Sequence, residues 1–335
     1  MNNQLNFAII GCGKIAPRHA ENIARVGKLV AVCDIIPEKA DLLAAPFASN
    51  PYYSLDELIF KEKKLDVLVI CTPNGLHAEH SIKALLSGHH VLCEKPMCLC
   101  STEAMQMKEV AESVDKKIFV VKQNRYNPPV IAVKKMIDEG KLGKILSVQI
   151  NGFWNRPKEY FADGWKGTKK MDGGILFTQF SHFIDLAYWL VGNINSVKAI
   201  KRNFQLKDII ETEDNCFVLA EFSNGAIGTF NFSISAYEKN MEGSITLLAE
   251  KGTVKIGGQY LNVLDYQQIE AMEPIMLEKG NPVNNYGIYE GTMSNHDKVY
   301  DNLILAIKDP GHSFTGIEDG MKTVEIIEKI YASCE

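Results

Sequence analysis

The sequence predicts an α/β protein in which a doubly wound parallel sheet precedes a C-terminal α+β domain with a mostly antiparallel open sheet. Over residues 1–122, short strands that are apolar throughout alternate with helical stretches, which is typical of a parallel sheet covered on both faces. From 194 to 265, strand candidates are joined by turn residues, as in an antiparallel sheet. We therefore expect two domains, 1–122 and 123–335, with the last helix packing back on the first domain.

The predicted elements follow in chain order. Strands of the first domain are expected at 5–10, 28–33, 66–71, 89–93 and 117–122. Helices are expected between them at 16–26, 54–61, 76–87 and 101–114. The second domain is expected to contain a helix at 128–139, a strand at 144–154, an aromatic-rich loop at 155–172 and a helix at 174–190. A hairpin turn is predicted at 223–225, and helices at 294–308 and 316–333 end the chain.

The composition is that of an ordinary globular protein. Of 335 residues, 46% are hydrophobic, and the formal net charge of -5 argues against nucleic acid as a partner. No apolar run reaches the roughly 18 residues of a membrane helix. The first residues lack the basic segment of a signal peptide, and the eight cysteines are scattered. We expect a cytoplasmic protein with reduced thiols, in which the spacing Cys98-x-Cys100 is a loop accident and not a metal site.

A glycine-rich turn follows the first strand. Gly11-x-Gly13-x-x-Ala16 leads directly into a helix, as in loops that bind the pyrophosphate of a dinucleotide at a helix N-terminus. Asp34 ends the second strand, where a carboxylate accepts hydrogen bonds from ribose and repels a 2′-phosphate, so NAD is favoured over NADP. The cofactor contacts expected here are Gly11, Gly13, Lys14, Ile15 and Asp34. An exposed Lys14 and a solvated Asp34 are the alternatives.

The loop after the third predicted strand, CTPNGLHAEH, lies at the same edge of the sheet. We expect cofactor contacts from Thr72, Pro73, Asn74 and His77, because ligands of open α/β sheets bind at the carboxyl ends of the strands. His77 and His80 share one helix face and could pair on a metal. No third ligand is near in sequence, so a cap or cofactor contact is favoured and no metal is expected.

The run VLCEKPM brings charge to the end of a buried strand. Glu94 and Lys95 end the strand and Pro96 fixes the backbone after it, through a bond that could be cis. A lysine beside a nicotinamide can donate a hydrogen bond to a substrate hydroxyl or take part in its proton transfer. The alternative is a strand-end charge that reaches water.

Three segments together resemble the GFO/IDH/MocA (glucose–fructose oxidoreductase/inositol dehydrogenase) family. They are GCGKIA, CTPNGLHAEHSIKALLSGHHVLCEKPM and MDGGILFTQFSHFIDLAYWLVG, and the resemblance runs nearly end to end. It implies a Rossmann NAD-binding domain, with Glu94 and Lys95 near the cofactor and Lys95 and His182 as catalytic residues. From the sequence alone, His182 lies near the middle of an amphipathic helix and suits a general base; a core histidine is the alternative.

The sequence departs from the family at one position. Many members carry aspartate four residues before the histidine, whereas this chain has Thr178, followed by Gln179. Threonine can hydrogen-bond but carries no charge, so the resemblance does not give position 178 a part in proton transfer. We expect Thr178 and Gln179 to contact substrate.

The loop 151–174 is expected to face the substrate. It is basic in an otherwise acidic chain, which suits a ligand with carboxylate or phosphate groups; a solvated charged loop is the alternative. The resemblance places Trp165 and Lys166 near the cofactor. The substrate contacts expected overall are Lys95, Arg125, Tyr126, Arg156, Tyr160, Thr178, Gln179 and His182.

The run from QNRYNPPV to MDGG is similar to the branch of the family that oxidises UDP-N-acetylglucosaminuronic acid at C3. That branch uses NAD, is usually tetrameric, and supplies a 3-keto sugar to an aminotransferase for bacterial surface polysaccharide. The resemblance implies an NAD-dependent sugar dehydrogenase with a nucleotide-sugar substrate and a homo-oligomeric state. A dehydrogenase or reductase of another sugar, sugar phosphate or inositol is the first alternative, and a non-catalytic sensor of NAD or sugar is the second.

Overall fold

A computed structural model describes residues 4–287 and 289–334. The chain divides into two compact units, Met1–Val121 with His296–Val324, and Lys122–Asn295 with Glu325–Glu335. The division after residue 121 lies next to the boundary expected from the sequence. In the C-terminal part, residues 296–324 cluster with the first unit and residues 325–335 with the second, so the last helix contributes to both.

The first unit contains a parallel sheet, which has six strands in the described part of the chain. They are β1 (Asn6–Ile10), β2 (Lys28–Cys33), β3 (Asn50–Tyr52), β4 (Val67–Ile70), β5 (His90–Cys93) and β6 (Ile118–Val120). The order is β3-β2-β1-β4-β5-β6, and the order of strands reverses between β1 and β4. The parallel sheet is confirmed. The short strand β3 is not predicted, because its sequence, NPY, offers no apolar run.

Helices follow most of these strands. They are α1 (Ala16–Val26), α2 (Pro37–Ala44), α3 (Leu55–Lys61), α4 (His77–Leu86) and α5 (Ser101–Ser113). Helix α1 starts directly after the glycine-rich turn and buries Ala16, His19, Ala20 and Ile23 on one face. A histidine on this buried face is the unusual member, since the other three side chains are apolar.

The second unit is built on an open sheet, which has seven strands among the described residues. They are β7 (Ile145–Phe153), β8 (Ile194–Arg202), β9 (Asn215–Phe222), β10 (Ile227–Ser233), β11 (Glu242–Ala249), β12 (Gly252–Gly257) and β13 (Val263–Ile269). The order is β13-β12-β11-β7-β10-β9-β8, and every pair is antiparallel except β7 with β10. The mostly antiparallel sheet and the hairpin turn at 223–225 are confirmed. A separate ribbon pairs β14 (Val283–Asn285) with β15 (Glu290–Met293).

Among the described residues, the α-helices that lie wholly within the second unit are α6 (Pro128–Asp138), α7 (Ile175–Thr178) and α8 (Ser181–Val191). The prediction of one continuous helix over 174–190 is wrong, because the helix is interrupted at Gln179 and Phe180, between α7 and α8. The Phe180 ring stacks on Phe232 at 4.6 Å between ring centres. It also fills the space beside Gly152, where a Cβ atom would lie 2.5 Å from the ring. Tertiary packing of this one ring therefore accompanies the break.

The last two helices are α9 (His296–Lys308) and α10 (Ile317–Ala332). Helix α9 packs on α1, and Arg25 of α1 pairs with Asp301 of α9 at 2.7 Å. The segment between α9 and α10 extends the edge of the sheet, since the Val120 N–H donates to the Thr315 carbonyl at 3.0 Å. These contacts explain why residues 296–324 cluster with the first unit.

Two global properties of the described residues concern the chain as a whole. No helix among them combines the length and the apolar character that a membrane span requires. All eight cysteines are free thiols.

Candidate active site

The carboxyl ends of four neighbouring strands in the first unit carry the predicted cofactor residues. Gly11, Gly13, Lys14 and Ile15 follow β1, Asp34 follows β2, Thr72, Pro73 and Asn74 follow β4, and Glu94 and Lys95 follow β5. These strands are adjacent in the order β2-β1-β4-β5 and run in one direction. All of these residues therefore lie at one edge of one sheet, where α/β proteins bind dinucleotides.

The glycine-rich turn has the geometry of a phosphate-binding loop. Gly11 has a φ of 93°, and a Cβ atom there would lie 2.7 Å from the Cys71 carbonyl carbon, so only glycine fits. Gly13 is exposed and has open space on the side where a Cβ would stand. Beside the turn, Asp34 accepts hydrogen bonds from the backbone N–H groups of Cys12 at 2.8 Å and Ile36 at 2.9 Å. The glycine-rich turn and the adjacent carboxylate of Asp34 fit the pyrophosphate and the ribose of NAD.

His77 holds two of these loops together. Its Nδ1 lies 2.6 Å from the Pro96 carbonyl and its Nε2 lies 2.7 Å from the Thr72 carbonyl. A ring protonated on both nitrogens donates to both carbonyls. Burial lowers the pKa of His77, while the two carbonyls and the Glu94 carboxylate favour the charged form. The side chain is buried and joins the turn after β4 to the Lys95–Pro96 peptide, which is cis. This arrangement differs from the direct cofactor contact that the sequence predicts.

Glu94 is the centre of a buried hydrogen-bond group. Its Oε1 accepts from His19 Nε2 at 2.9 Å and from His296 Nε2 at 3.3 Å, and its Oε2 accepts from the Lys95 N–H at 3.0 Å. His19 Nδ1 lies 2.9 Å from the Tyr300 hydroxyl. The sequence predicts Glu94 near the cofactor but gives no signal for the two histidines, which come from α1 and α9. The group fixes the backbone of Lys95 through the hydrogen bond from its N–H to Glu94 Oε2.

Charge in this group is concentrated on Glu94. Burial would raise the pKa of its carboxyl, but hydrogen bonds from His19 and His296 outweigh burial and hold that pKa well below its usual value. Burial lowers the pKa of His19. The ligand atoms of His19, Glu94 and His296 all lie within 4.8 Å of one another, as in a metal site. Imidazole N–H groups that donate to one carboxylate account for each short contact, so we assign the group a structural role.

A second buried charge group lies in the second unit, around Asp185 of α8. Arg125 donates to both carboxylate oxygens, from Nε at 2.9 Å and from Nη2 at 2.8 Å, and Lys122 Nζ lies 3.0 Å from Oδ1. All three side chains are buried. Burial would raise the pKa of Asp185, but Arg125 and Lys122 outweigh burial and hold it well below its usual value. Arg125 was expected to contact substrate; the structure shows its guanidinium bound to Asp185 and lying over the Trp189 ring.

His182 lies in the first turn of α8 and is 3% exposed. Its Nε2 is 3.1 Å from Nε2 of Gln123, which also donates to the Thr292 hydroxyl at 3.2 Å. Gln123 stands beside the predicted Arg125 and Tyr126 in a short 3-10 turn, and sequence reasoning missed it because no spacing links it to His182. The contact joins residues 59 positions apart.

Thr178 is bonded to a carboxylate that the sequence does not single out. Its hydroxyl donates to Oδ1 of Asp172 and also lies 3.2 Å from the Asp172 carbonyl. Asp172 is buried. Position 178 lacks the aspartate common in the family, and a carboxylate lies one hydrogen bond away from it.

Arg156 lies in a box of aromatic rings. Its guanidinium carbon is 5.0 to 5.4 Å from the centres of three rings, those of Trp154, Tyr160 and Tyr289. Its Nη1 donates to the Asn155 carbonyl at 2.6 Å and to Asn240 Oδ1 at 3.2 Å, while Nε is buried and has no partner among the described residues. No carboxylate pairs with it in that part of the chain. Burial lowers the pKa of Arg156, yet a guanidinium stays charged.

The remaining predicted residues of the loop gather around Tyr160. Gln179 donates to the Tyr160 hydroxyl at 3.2 Å, and its Oε1 is buried without a partner among the described residues. Lys166 Nζ lies 4.6 Å from the centre of the Tyr160 ring and pairs with Asp163. Trp165, like Tyr126, is partly exposed. Arg156 and Gln179 therefore each carry a buried polar atom without a hydrogen-bond partner among the described residues, which is uncommon in folded proteins.

The fold and these residues indicate a class of enzyme. A dinucleotide-binding sheet, with a lysine at a strand end, belongs to an oxidoreductase that uses a nicotinamide cofactor. Residues 5–122 match the family model of the oxidoreductase family with an NAD-binding Rossmann fold, and residues 130–255 match the GFO/IDH/MocA C-terminal domain. The chain belongs to the GFO/IDH/MocA family. It is an NAD-dependent sugar dehydrogenase, an enzyme that acts on CH–OH groups.

Solved and curated relatives agree with this assignment. A WlbA dehydrogenase from Bordetella pertussis, solved in complex with NADH and UDP-GlcNAcA, is 33% identical, with a TM-score of 0.89 over 99% of this chain and 96% of that one. A glucose-6-phosphate 3-dehydrogenase from Bacillus subtilis is 33% identical, but the match spans only about half of each protein, 55% of this chain and 53% of the relative. A levoglucosan dehydrogenase from Pseudarthrobacter phenanthrenivorans is 28% identical over 70% of this chain and 69% of its own length.

Proposed function

We propose that this enzyme oxidises the C3 hydroxyl of UDP-N-acetylglucosaminuronic acid to the 3-keto sugar. The observation that carries the proposal is the buried Arg156, whose charge has no carboxylate partner in the described part of the chain. A buried cation without a counter-ion is costly, so a site that retains one is suited to an anionic ligand. The similarity to the WlbA dehydrogenase over nearly the whole chain supports the same substrate.

In this proposal the aromatic box binds the acidic group of the sugar. The rings of Trp154, Tyr160 and Tyr289 exclude water from around the guanidinium, which strengthens a hydrogen bond from Nε to a carboxylate. Gln179 Oε1 accepts from a sugar hydroxyl, and Thr178 and Tyr126 provide further polar contacts. A neutral sugar would leave Arg156 Nε unpaired and pay the cost of its burial.

The acid–base chemistry is assigned to two side chains. His182 accepts the proton of the reacting hydroxyl, because a neutral imidazole is a base near neutral pH. Lys95 donates a hydrogen bond to the same oxygen and stabilises the charge that develops on it. Bound NAD supplies the hydride acceptor for the oxidation.

The cofactor is expected to be held by the edge of the first sheet. The residues proposed to hold it are Gly11, Gly13, Lys14, Ile15, Asp34, Thr72, Pro73, Asn74, His77, Glu94 and Lys95, together with Trp165 and Lys166 from the second unit. Among these, His77 and Glu94 act through the loops that they fix, because their polar atoms bond to other parts of the first unit.

The direct test is cofactor reduction by the purified protein. UDP-N-acetylglucosaminuronic acid is added to enzyme with NAD, and the near-ultraviolet absorbance of NADH is followed, with product identified by mass spectrometry. UDP-N-acetylglucosamine, which lacks the sugar carboxylate, is run in parallel with glucose 6-phosphate, levoglucosan and an inositol. Fastest turnover with the uronate supports the proposal. Faster turnover with glucose 6-phosphate or a neutral sugar would show that the enzyme acts on a different substrate of the family.

Arg156 offers a sharper prediction. Arg156→Met keeps an unbranched side chain between the aromatic rings but removes the charge. Loss of one charge-assisted hydrogen bond is worth about 1.5–3 kcal/mol, so kcat/KM for the uronate is expected to fall about 10- to 100-fold. For UDP-N-acetylglucosamine, which lacks the carboxylate on the sugar, the change is expected to be small. Steady-state kinetics with both substrates measure the difference.

Lys158→Met is the matched control, because Lys158 lies two residues further along the same loop and is exposed. It removes the same charge from the loop without touching the box. Equal losses in Arg156→Met and Lys158→Met, or equal losses for the acidic and the neutral substrate, would contradict recognition of an acidic group by Arg156.

We also propose that the enzyme is a homo-oligomer that associates through the open face of the second sheet. On that face, Leu219 of β9 and Ile227 of β10 are 61% and 60% exposed, and the alternation of β9 buries the opposite side. Large exposed apolar patches of this kind mark interaction surfaces. Leu219→Glu is expected to lower the mass found by light scattering, whereas Glu221→Gln on the same strand should not; an unchanged mass for Leu219→Glu would place the interface elsewhere.

The cellular setting follows from the same proposal. Eight free thiols suit a reducing compartment, and we propose that the enzyme is cytoplasmic. A 3-keto nucleotide sugar has the carbonyl group that an aminotransferase requires, and we propose that the reaction serves the synthesis of bacterial surface polysaccharide.

A further inference from the structure

His77 lies between two backbone carbonyls at the cofactor edge of the first unit. Its Nδ1 is 2.6 Å from the Pro96 carbonyl oxygen, and its Nε2 is 2.7 Å from the Thr72 carbonyl oxygen. The side chain stands at the start of α4 and is buried. Both neighbours can only accept, because a backbone carbonyl has no proton to donate. The ring therefore satisfies both contacts only if each nitrogen carries a proton.

The two contacts favour one protonation state of the ring. A neutral imidazole has one N–H, so its other nitrogen would direct a lone pair at a carbonyl oxygen 2.6 or 2.7 Å away. Distances this short are typical of a charged N–H donor, for which about 2.7–2.9 Å is usual. Either neutral tautomer leaves one repulsive contact, whereas the imidazolium leaves none.

Burial and the neighbouring groups act in opposite directions on His77. Burial lowers its pKa and Lys95 acts in the same direction, while the two carbonyls and the Glu94 carboxylate favour the charged form. The titratable groups that face the ring are Lys95 and Glu94 at the end of β5 and His80 on its own helix. Hydrogen bonds from two other histidines hold the pKa of Glu94 well below its usual value, so a carboxylate stays charged close to the ring. Burial alone would favour the neutral ring, but the neutral ring cannot satisfy both carbonyls.

The two carbonyls belong to segments that meet at Lys95. Thr72 follows β4, whereas Pro96 comes directly after Lys95 at the end of β5. The N–H of Lys95 donates to Glu94 Oε2 at 3.0 Å. The backbone of Lys95 is therefore held on both sides, by Glu94 before it and by His77 through Pro96 after it. Loss of one proton from His77 would release one of the two carbonyls.

We propose that His77 is a positioning residue for Lys95, held as an imidazolium that donates from both ring nitrogens to the Thr72 and Pro96 carbonyls. It fixes the backbone next to Lys95. Its positive charge also makes the neighbouring ammonium a stronger hydrogen-bond donor toward the substrate oxygen, because a nearby cation disfavours the charged form of a lysine. The inference rests on the proposed role of Lys95 and does not depend on which sugar is the substrate.

The first test reads the ring in the wild-type enzyme without substrate. Protein labelled with 15N-histidine is examined by solid-state NMR at pH 7, and His77→Gln identifies the signals of this ring among the eight histidines. The expected result is a proton on both ring nitrogens. A proton on only one of them would overturn the proposal.

His90 gives a matched comparison in the same spectrum. It lies at the other end of β5, and its Nδ1 accepts from the Lys117 N–H at 3.0 Å, so this nitrogen carries a lone pair. Burial is the main cause that lowers the pKa of His90 to about 4. One unprotonated nitrogen is therefore expected for His90 at the pH at which His77 has none.

The second test is the pH profile of kcat in His77→Gln. Glutamine can donate to only one of the two carbonyls, so kcat is expected to fall about tenfold, which corresponds to about 1.4 kcal/mol. Loss of the positive charge favours the protonated form of Lys95. The basic limb of the profile, which reports loss of that proton, is expected to move up by about one pH unit. A basic limb that stays in place would overturn the proposal, since a residue with only a structural role would not move it.

His90→Gln is the control variant, because glutamine keeps an acceptor for the Lys117 N–H. Its kcat and its basic limb are expected at the wild-type values, and a shift as large as that in His77→Gln would contradict the proposal. Failure of the proposed function appears separately, as absent turnover by the wild-type enzyme with every sugar tested. The protonation state of His77 is read without turnover.

Discussion

Replacing Lys95 by methionine is expected to lower kcat about 1,000-fold, within the range of about 100- to 10,000-fold assigned to a positioned acid–base group. Lys95 follows β5 at the sheet edge that carries the residues proposed to hold the cofactor. Its backbone N–H donates to Glu94 Oε2 at 3.0 Å. Methionine keeps the length of the side chain but cannot donate a hydrogen bond. Steady-state kinetics with the uronate and NAD measure the loss.

Cofactor affinity distinguishes lost chemistry from lost structure. NAD binding by calorimetry is expected to change little in Lys95→Met, since the glycine-rich turn and Asp34 are untouched. Lys64→Met, which removes an exposed lysine of the same unit, should leave kcat at the wild-type value. Undiminished turnover by Lys95→Met would assign the proton chemistry to another group.

The largest effect on stability is expected from Asp185→Ala, at about 3–5 kcal/mol. Removal of this carboxylate takes from the buried Lys122 and Arg125 the charge that both contact, and removing one partner of a buried ion group is among the most destabilising changes known in proteins. Chemical denaturation of the variant and the wild type gives the difference in the free energy of unfolding. Glu57→Ala, which breaks the exposed pair with Lys61, should change that free energy by less than about 1 kcal/mol.

The double variant Lys122→Met with Asp185→Ala separates charge from packing. Because it also removes one of the two buried cations that contact Asp185, it is expected to recover part of the stability lost in Asp185→Ala. If it loses as much as the two single variants together, the ion group contributes only by packing.

The same group predicts the direction of acid sensitivity. The pKa of Asp185 is held below its unfolded value of about 3.9, so its stabilising contribution is complete above that pH and is lost as pH falls through the folded pKa. Glu94 acts in the same direction, because its pKa is also lowered. Wild-type stability should therefore fall steeply in acid, and in Asp185→Ala the fall should be shallower.

Much of the fold follows from local patterns in the sequence. Uniformly apolar strands separated by helices specify a parallel sheet, because both faces must be covered. The turn at 223–225 specifies a hairpin through its Asn-Gly pair. The break at Gln179 and Phe180 has no such local signal, since the ring of Phe180 packs on Phe232, which is distant in the chain. Residues 296–324 likewise join the first unit through contacts with α1 and β6, which are distant in the chain and leave no local signal.

The candidate site divides in the same way. Gly11, Asp34 and Lys95 can be placed from the sequence, because the carboxyl ends of parallel strands share an edge. Partners that come from elsewhere in the chain cannot. The bond from Gln123 to His182 and the pairing of Arg125 with Asp185 span about 60 residues, and nothing in either segment indicates its partner.

The bond between Thr178 and Asp172 has a consequence for how such enzymes are classified. A search profile that demands aspartate at the position of Thr178 would score this chain as degenerate at its reactive centre. The hydroxyl of Thr178 nevertheless donates to the carboxyl group of Asp172, six residues earlier, so a carboxyl group lies one hydrogen bond away from this position. A family sorted by this one column would then separate this chain from members with a carboxylate at that position, although its own carboxyl group is one hydrogen bond away.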